Sequence, residues 1–101
     1  MAIETKLNTQ AQTLEIKISG RFDFSVHQDF RKATQLASSG VSTIVVDMSE
    51  ADYVDSSALG MLLVLRDKVD ERKEAISIKN ANPEVRKILD IANFDKLFTL
   101  V

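Results

Sequence analysis

The sequence of 101 residues contains no cysteine, a single proline, three glycines and one histidine, His27. Without cysteine, disulfides and thiolate metal sites are excluded, and one histidine leaves little for a zinc site. Thirteen lysines and arginines against fifteen acidic residues give a formal charge of -2, so no excess positive charge is available to attract nucleic acid. We therefore expect no metal, no cofactor and no nucleic-acid partner.

Long apolar runs are also absent. The first ten residues, "MAIETKLNTQ", are polar where a signal peptide needs an apolar stretch, and no run approaches the length of a membrane span. We expect a cytoplasmic protein without a membrane partner. With 45% hydrophobic residues and no linker, repeat or low-complexity tract, the chain predicts one domain over residues 1–101.

Alternating and continuous apolar stretches predict the strands. In "TLEIKISG", Leu14, Ile16 and Ile18 alternate with charged residues, and Gly20 is expected to end the strand. The run "TIVV" predicts a central strand covered on both faces. "AISIKNA" predicts another strand, and "FDKLFTLV" a turn with a short final strand.

Capping signals predict two of the helices. Ser25 followed by Gln28 forms a capping-box pattern, and Asn82 followed by Pro83 is typical of a helix start. Strands and helices then alternate after an initial hairpin, which favours an α/β fold with parallel strands joined by right-handed crossovers. The predicted fold class is therefore a single α/β domain with a mixed central sheet.

The stretch "DSSALGMLLVL" predicts a helix that extends to about Lys73. On a helical wheel over residues 58–73, the core stripe contains Ala58, Leu62, Leu65 and Val69. Gly60 and Val64 fall on the far side with Asp67, Lys68 and Glu71, and Met61 lies on a flank. Two interpretations stay open: Val64 is a stray exposed residue and Gly60 a packing or bend position, or Gly60, Met61 and Val64 form an apolar patch for a partner.

Asp55, Ser56 and Ser57 stand where this helix begins, and one of them is expected to cap it. Such a cap needs no function. Alternatively, a phosphate on Ser56 would add about -1.5 to -2 charges where helix N–H groups favour anions. Within the chain this charge is tolerated, but beside the acidic residues of the preceding loop it would repel a docked partner. The acidic residues in question are Asp47, Glu50, Asp52 and Asp55.

Three segments together, "GRFDF", "IVVDMSEADYVDSSALGMLLVL" and "NPEVRKILDIANFDKLFTL", resemble the bacterial STAS-domain anti-sigma factor antagonists over nearly the whole chain. The resemblance implies a STAS domain with helices packed mainly on one side of the sheet. It implies phosphorylation of the serine after the motif aspartate, which is Ser56 after Asp55, with Ser57 as a secondary candidate. Asp23 matches an acidic position that contributes to partner contact.

The same resemblance implies a partner-switching regulator. The unphosphorylated form is expected to bind an anti-sigma factor or serine kinase and free a sigma factor, and a PP2C-type phosphatase would reverse phosphorylation. The expected partner-binding residues are Asp23, Asp55, Ser56, Ser57, Gly60, Met61 and Val64. Ala58 departs from the glycine of many family members, and the chain stops soon after "LFTLV".

Two other functions were compared with this one. A hydrolase built on Ser56, His27 and Asp55 lacks a G-x-S-x-G elbow, so we expect no enzyme activity. A module that binds a nucleotide or lipid is the alternative function, although the sequence has neither a Walker A motif nor a dinucleotide fingerprint.

Overall fold

The computed structural model describes residues 2–38, 41–68 and 75–101. Within them one sheet has the strand order β1-β2-β3-β4-β5, with β1 antiparallel to β2 and all other neighbours parallel. The strands are β1 (Ile3–Asn8), β2 (Thr13–Phe22), β3 (Thr43–Val54), β4 (Ile76–Lys79) and β5 (Thr99–Leu100). The helices are α1 (His27–Gln35), α2 (Ser56–Asp67) and α3 (Pro83–Ile91). The predicted mixed α/β sheet is confirmed.

All three helices cover the same face of the sheet. Each helix joins two neighbouring parallel strands in the same direction across the sheet, so right-handed crossovers place them together. On that face the strand side chains are fully buried, as at Ile16, Val46 and Ile78. On the other face Val45 is only half-buried between Glu15 and Ser77. The prediction that both faces of "TIVV" are covered is therefore wrong, because no helix of the described residues crosses to that side.

Strand β2 does not end at Gly20, as the sequence had indicated, but continues to Phe22. Gly20 has φ +74°, a backbone conformation that is strained for residues with a side chain. The pairing with β3 shifts register immediately after it. The bulge lets the strand go on, and Arg21 and Phe22 pair with Tyr53 and Val54. The two central strands therefore end side by side.

Strand β3 is also longer than predicted and includes most of the residues expected to form an acidic loop. Asp47 lies within the sheet between Lys17 and Lys79, and Glu50 forms an ion pair with Lys17 at 2.6 Å. Their charges are therefore opposed by cations, so that among the described residues of the predicted acidic loop only Asp52 and Asp55 have no such lysine on a neighbouring strand.

Helix α3 begins as the sequence predicts. The side chain of Asn82 accepts a hydrogen bond from the N–H of Val85 at 2.8 Å, with Pro83 in the first turn. The Asn82 amide also donates to the carbonyl oxygen of Ala51 at 3.2 Å, which ties the start of α3 to the extended part of β3.

Candidate functional site

Two acidic residues follow the neighbouring ends of β2 and β3. Because Phe22 pairs with Val54, the next residue of each chain segment, Asp23 and Asp55, leaves the sheet at the same edge. They are close enough that the negative charge of Asp23 opposes the lowering of the pKa of Asp55. The structure thus brings Asp23 next to the "DSS" segment, although the two are far apart in the sequence.

Asp55 is the cap of α2. Its Oδ1 accepts hydrogen bonds from the Ala58 N–H at 3.0 Å and from the Ser57 hydroxyl at 2.7 Å. These bonds, the one from Ser57 first, lower the pKa of Asp55 from its ordinary value of 3.8. Asp55 is therefore ionised at neutral pH, with one of its oxygens occupied by the helix start.

The two serines have different surroundings. Ser57 is half-buried and its hydroxyl is bonded to Asp55, whereas Ser56 is exposed as the first residue of α2. Among the described residues, none forms a hydrogen bond with the Ser56 hydroxyl. Ser56 is consequently the serine whose oxygen is open to solvent, at a helix terminus where N–H groups favour an anion.

Asp23 caps a 3-10 turn, Phe24–Val26, that precedes α1. Its Oδ1 accepts from the Ser25 N–H at 2.9 Å and from the Ser25 hydroxyl, and these bonds lower the pKa of Asp23. The predicted capping box is wrong: Ser25 donates to Asp23 instead of capping α1, which begins at His27 without a side-chain cap. The local Asp-x-Ser turn competes successfully with the helix start.

Arg21 and Tyr53 were not anticipated from the sequence. The guanidinium of Arg21 lies 3.9 Å from the centre of the Tyr53 ring, and its Nε is 3.3 Å from Oδ2 of Asp23. The Arg21 side chain is 63% exposed and Tyr53 is 38% exposed, and both lie where Asp23 and Asp55 leave the sheet. Only the register after the Gly20 bulge places them together, so no local sequence pattern could have revealed the pair.

Helix α2 exposes Gly60 and Val64 as predicted, with 55% of Val64 accessible to solvent. A Cβ added to Gly60 would meet nothing within 4 Å. Gly60 is therefore not required for close packing inside the described part of the chain, and the space beside it is open.

The placement of Met61 in an exposed patch is wrong, because only 8% of its surface is accessible. Helix α1 packs against α2 on that side, so α2 is buried against both the sheet and a neighbouring helix. A wheel with one core face cannot represent two packing directions. Ala58, Leu62 and Leu65 are fully buried as predicted. Helix α2 ends at Asp67 with Lys68 as its C-cap, short of the predicted Lys73, and Val69 and Glu71 lie outside the described residues.

The residues of the hydrolase hypothesis do not form a hydrogen-bonded set in the described structure. His27 stacks on Phe24 with ring centres 4.9 Å apart, and no hydrogen bond joins it to Ser56. Within residues 2–38, 41–68 and 75–101, no group of three His, Cys, Asp or Glu side chains could hold a metal ion. None of the described helices is long and apolar enough to cross a membrane.

Comparison of the sequence with protein families gives a match to the family described as "Mlab, STAS domain" over residues 5–101. A STAS-domain containing protein of Pseudomonas aeruginosa (strain UCBPP-PA14) is 50% identical over 100 residues, 99% of each chain. These matches cover the sheet, all three helices and the candidate site.

Solved structures share the same fold. The unphosphorylated form of the anti-sigma factor antagonist SpoIIAA matches with a TM-score of 0.81 and 22% identity, over 99% of this chain and 88% of that one. A chain of the Acinetobacter MlaFEDB complex, in an ATP-bound conformation, matches with a TM-score of 0.72 and 21% identity, over 96% and 98% of the two chains. At these identities the likeness establishes the fold.

Proposed function

Because the chain belongs to the STAS-domain family, we propose that it is a phosphorylation-switched regulator that binds another protein. Residues 1–101 form one domain that, when unphosphorylated, sequesters an anti-sigma factor or related switch kinase and releases a sigma factor. Phosphorylation of Ser56 ends the binding, and a PP2C-type phosphatase restores it. The likeness to the anti-sigma factor antagonist SpoIIAA supports this role. The proposed role is regulatory rather than enzymatic, and the proposed location is the cytoplasm.

The observation that carries the proposal is the exposed Ser56 hydroxyl between two acidic caps and an exposed helix stripe. Asp23 and Asp55 lie on one side of it, and Gly60 and Val64 follow at helical spacing on α2. One residue thus stands at the junction of a charged surface and an apolar one. A modification there changes both surfaces at once.

The expected effect of the phosphate is electrostatic. It would add about -1.5 to -2 charges beside two carboxylates that are already ionised. Inside the domain the partial positive charge at the N-terminus of α2 offsets part of this repulsion. A partner that covers Ser56 would instead have to desolvate the phosphate, so binding is weakened while the fold is kept.

The proposed contact surface contains Asp23, Asp55, Ser56, Ser57, Gly60 and Val64, with Met61 contributing only the edge that its burial leaves free. The open space above Gly60 would allow a partner to approach the helix backbone closely. Ser57 serves this surface mainly by holding Asp55 in place, since its hydroxyl is engaged there.

The switch is tested by measuring the affinity of the purified protein for its cognate anti-sigma factor by calorimetry. Phosphorylated protein, with intact mass confirming one phosphate on Ser56, should bind at least about tenfold more weakly than unmodified protein. Ser56→Ala should bind normally, and treatment with the kinase should not weaken its binding. Ser57→Ala should still lose affinity when Ser56 is phosphorylated. Equal affinity of the phosphorylated and unmodified proteins would disprove the electrostatic switch.

A second candidate is the module that binds a nucleotide or lipid, and the likeness to a chain of the ATP-bound MlaFEDB complex supports it. Calorimetry with ATP, and with phospholipid vesicles in parallel, distinguishes the two functions. Stoichiometric ligand binding that is lost in both Asp23→Ala and Ser56→Ala would favour this candidate over the protein switch.

A further inference from the structure

A groove of about 310 Å³ lies between α1 and α2, and it shares Met61 and Val64 with the surface assigned to the Ser56 switch. Its floor is mainly apolar: Phe30 is 1% exposed, Met61 8% and Val64 55%, and the buried Thr34 lies beside them. The floor residues come from both helices, at positions that repeat every three or four residues. The groove therefore runs along the helices.

The rim of this groove is cationic. Arg31 and Lys68 are exposed on opposite sides of it, and His27 lies at one end, stacked on the exposed ring of Phe24. No acidic residue is found among the described residues that line the groove. Neither Arg31 nor Lys68 has an ion-pair partner in the described part of the chain. In a protein of formal charge -2, this is a local positive surface around an apolar floor.

From these features we infer that the α1–α2 groove binds an acidic amphipathic helix of a partner protein. The apolar face of that helix would pack on Phe30, Met61 and Val64, and its acidic side chains would reach Arg31 and Lys68. The length of α1 along the groove, nine residues or about 13 Å, suits two to three turns of helix. The groove is open to solvent and at the small end of ligand pockets, about 300 to 1,000 Å³, which favours a helix over an enclosed small molecule.

The groove is continuous with the switch surface through Val64, but the inference goes beyond the proposed function because it does not depend on Ser56. It assigns a second contact, made along the second half of α2 from Met61 to Lys68. Charge would orient the partner, since the start of α2 is acidic and the groove basic.

A synthetic helical peptide of about 15 residues tests the inference on the unmodified full-length chain. Leucines at positions i, i+4, i+7 and i+11 form one face, and glutamate and glutamine form the other. Titration followed by amide chemical shifts should move the resonances of His27, Arg31, Val64 and Lys68. The same peptide with lysine in place of glutamate should leave them unchanged.

Charge reversal gives the matched comparison. Arg31→Glu combined with Lys68→Glu should weaken peptide binding about tenfold, whereas Lys87→Glu, an exposed lysine on α3, should have no effect. If the reversed variant melts early, Arg31→Gln with Lys68→Gln supplies the same comparison with a smaller loss, about threefold. Shifts confined to other surfaces, or affinity unaffected by these substitutions, would overturn the inference.

Dodecanoate provides the remaining arm of the experiment. If it perturbs the groove resonances while the acidic peptide does not, the groove is a site for an anionic amphiphile and the inference is wrong. Because Ser56 is unmodified throughout, failure of the groove leaves the switch proposal standing, and failure of the switch leaves the peptide result unchanged.

Discussion

Neighbouring residues of the same type acquire different properties at the start of α2. Asp55 binds the hydroxyl of Ser57 but not that of Ser56, so one serine is part of the helix cap and the other is open to solvent. A carboxylate that caps a helix through its acceptor oxygens thereby selects which hydroxyl is available for modification.

The cap makes a prediction about stability. Asp55→Ala should lower the free energy of unfolding by about 0.5 to 2 kcal/mol, because the N–H of Ala58 loses its acceptor. Asp55→Asn keeps an acceptor oxygen and should lose less. Urea unfolding checks both, with Asp52→Ala, an exposed residue outside the cap, expected to stay within about 0.5 kcal/mol of wild type. Equal stability of Asp55→Ala and wild type would contradict the assigned cap.

Two glycines give opposite predictions at the same scale. Gly20→Ala should destabilise the protein by about 1 to 2 kcal/mol, because φ +74° strains any side chain even where space is free. Gly60→Ala should instead stabilise it by about 0.5 to 1 kcal/mol, since Gly60 lies inside a helix with open space beside it. The two thermal melts should therefore move in opposite directions, and a shift of the same sign in both would be inconsistent with the assigned backbone geometry.

Helix α2 both packs in the core and contributes to the proposed partner surface. Its amphipathic pattern separates these two roles only in part. Leu62 and Leu65 face the core completely, while Val64 faces outward at 55% exposure. Met61 faces neither the sheet nor open solvent, because the contact with α1 buries it beside the groove. Two faces of the helix therefore stabilise the domain, and the exposed face is available to bind a partner.

Substitutions on the two faces of α2 should separate stability from binding. Leu62→Ala should lower the free energy of unfolding by about 2 to 5 kcal/mol, the range for a buried leucine. Val64→Lys should leave stability within about 0.5 kcal/mol of wild type and weaken binding to the cognate anti-sigma factor. Denaturant unfolding and calorimetry on the same samples measure both effects. Marked destabilisation by Val64→Lys would show that this residue is part of the core.

Over the whole molecule, three aspartates have pKa values lowered from 3.8 within the described residues: Asp23, Asp47 and Asp55. The hydroxyl of Ser25 is the main cause at Asp23, and that of Ser57 at Asp55. At Asp47 partial burial raises the pKa, but the Ser49 N–H at 2.9 Å and other donors lower it further. All three carboxylates therefore favour the folded state in their ionised form.

These shifts predict acid lability. A lowered pKa in the folded state contributes stability that is complete above the unfolded value of 3.8 and is lost as pH falls through the folded pKa. The free energy of unfolding should thus show a decline below about pH 4 that is shallower in Asp55→Asn. Urea unfolding at a series of pH values measures the slope, and identical slopes in the two proteins would rule out a contribution from Asp55.

Features that depend on local pattern could be predicted from the sequence. Alternation at Leu14, Ile16 and Ile18 predicted β2, Asn82 with Pro83 predicted the start of α3, and the "DSS" segment was recognised before a helix. Each depends on residues a few positions apart, whose preferences for strand, cap or turn act over the same short distance.

Features that need distant residues to meet depend on the packing of the whole domain. The Gly20 bulge extends β2 so that Arg21 reaches Tyr53 and Asp23 reaches Asp55, and the packing of α1 buries Met61 and forms the basic groove. Strand register and helix packing are set by contacts across the whole domain, where burial of apolar surface outweighs local preference. For that reason the sequence could predict the serine motif but not the surface around it.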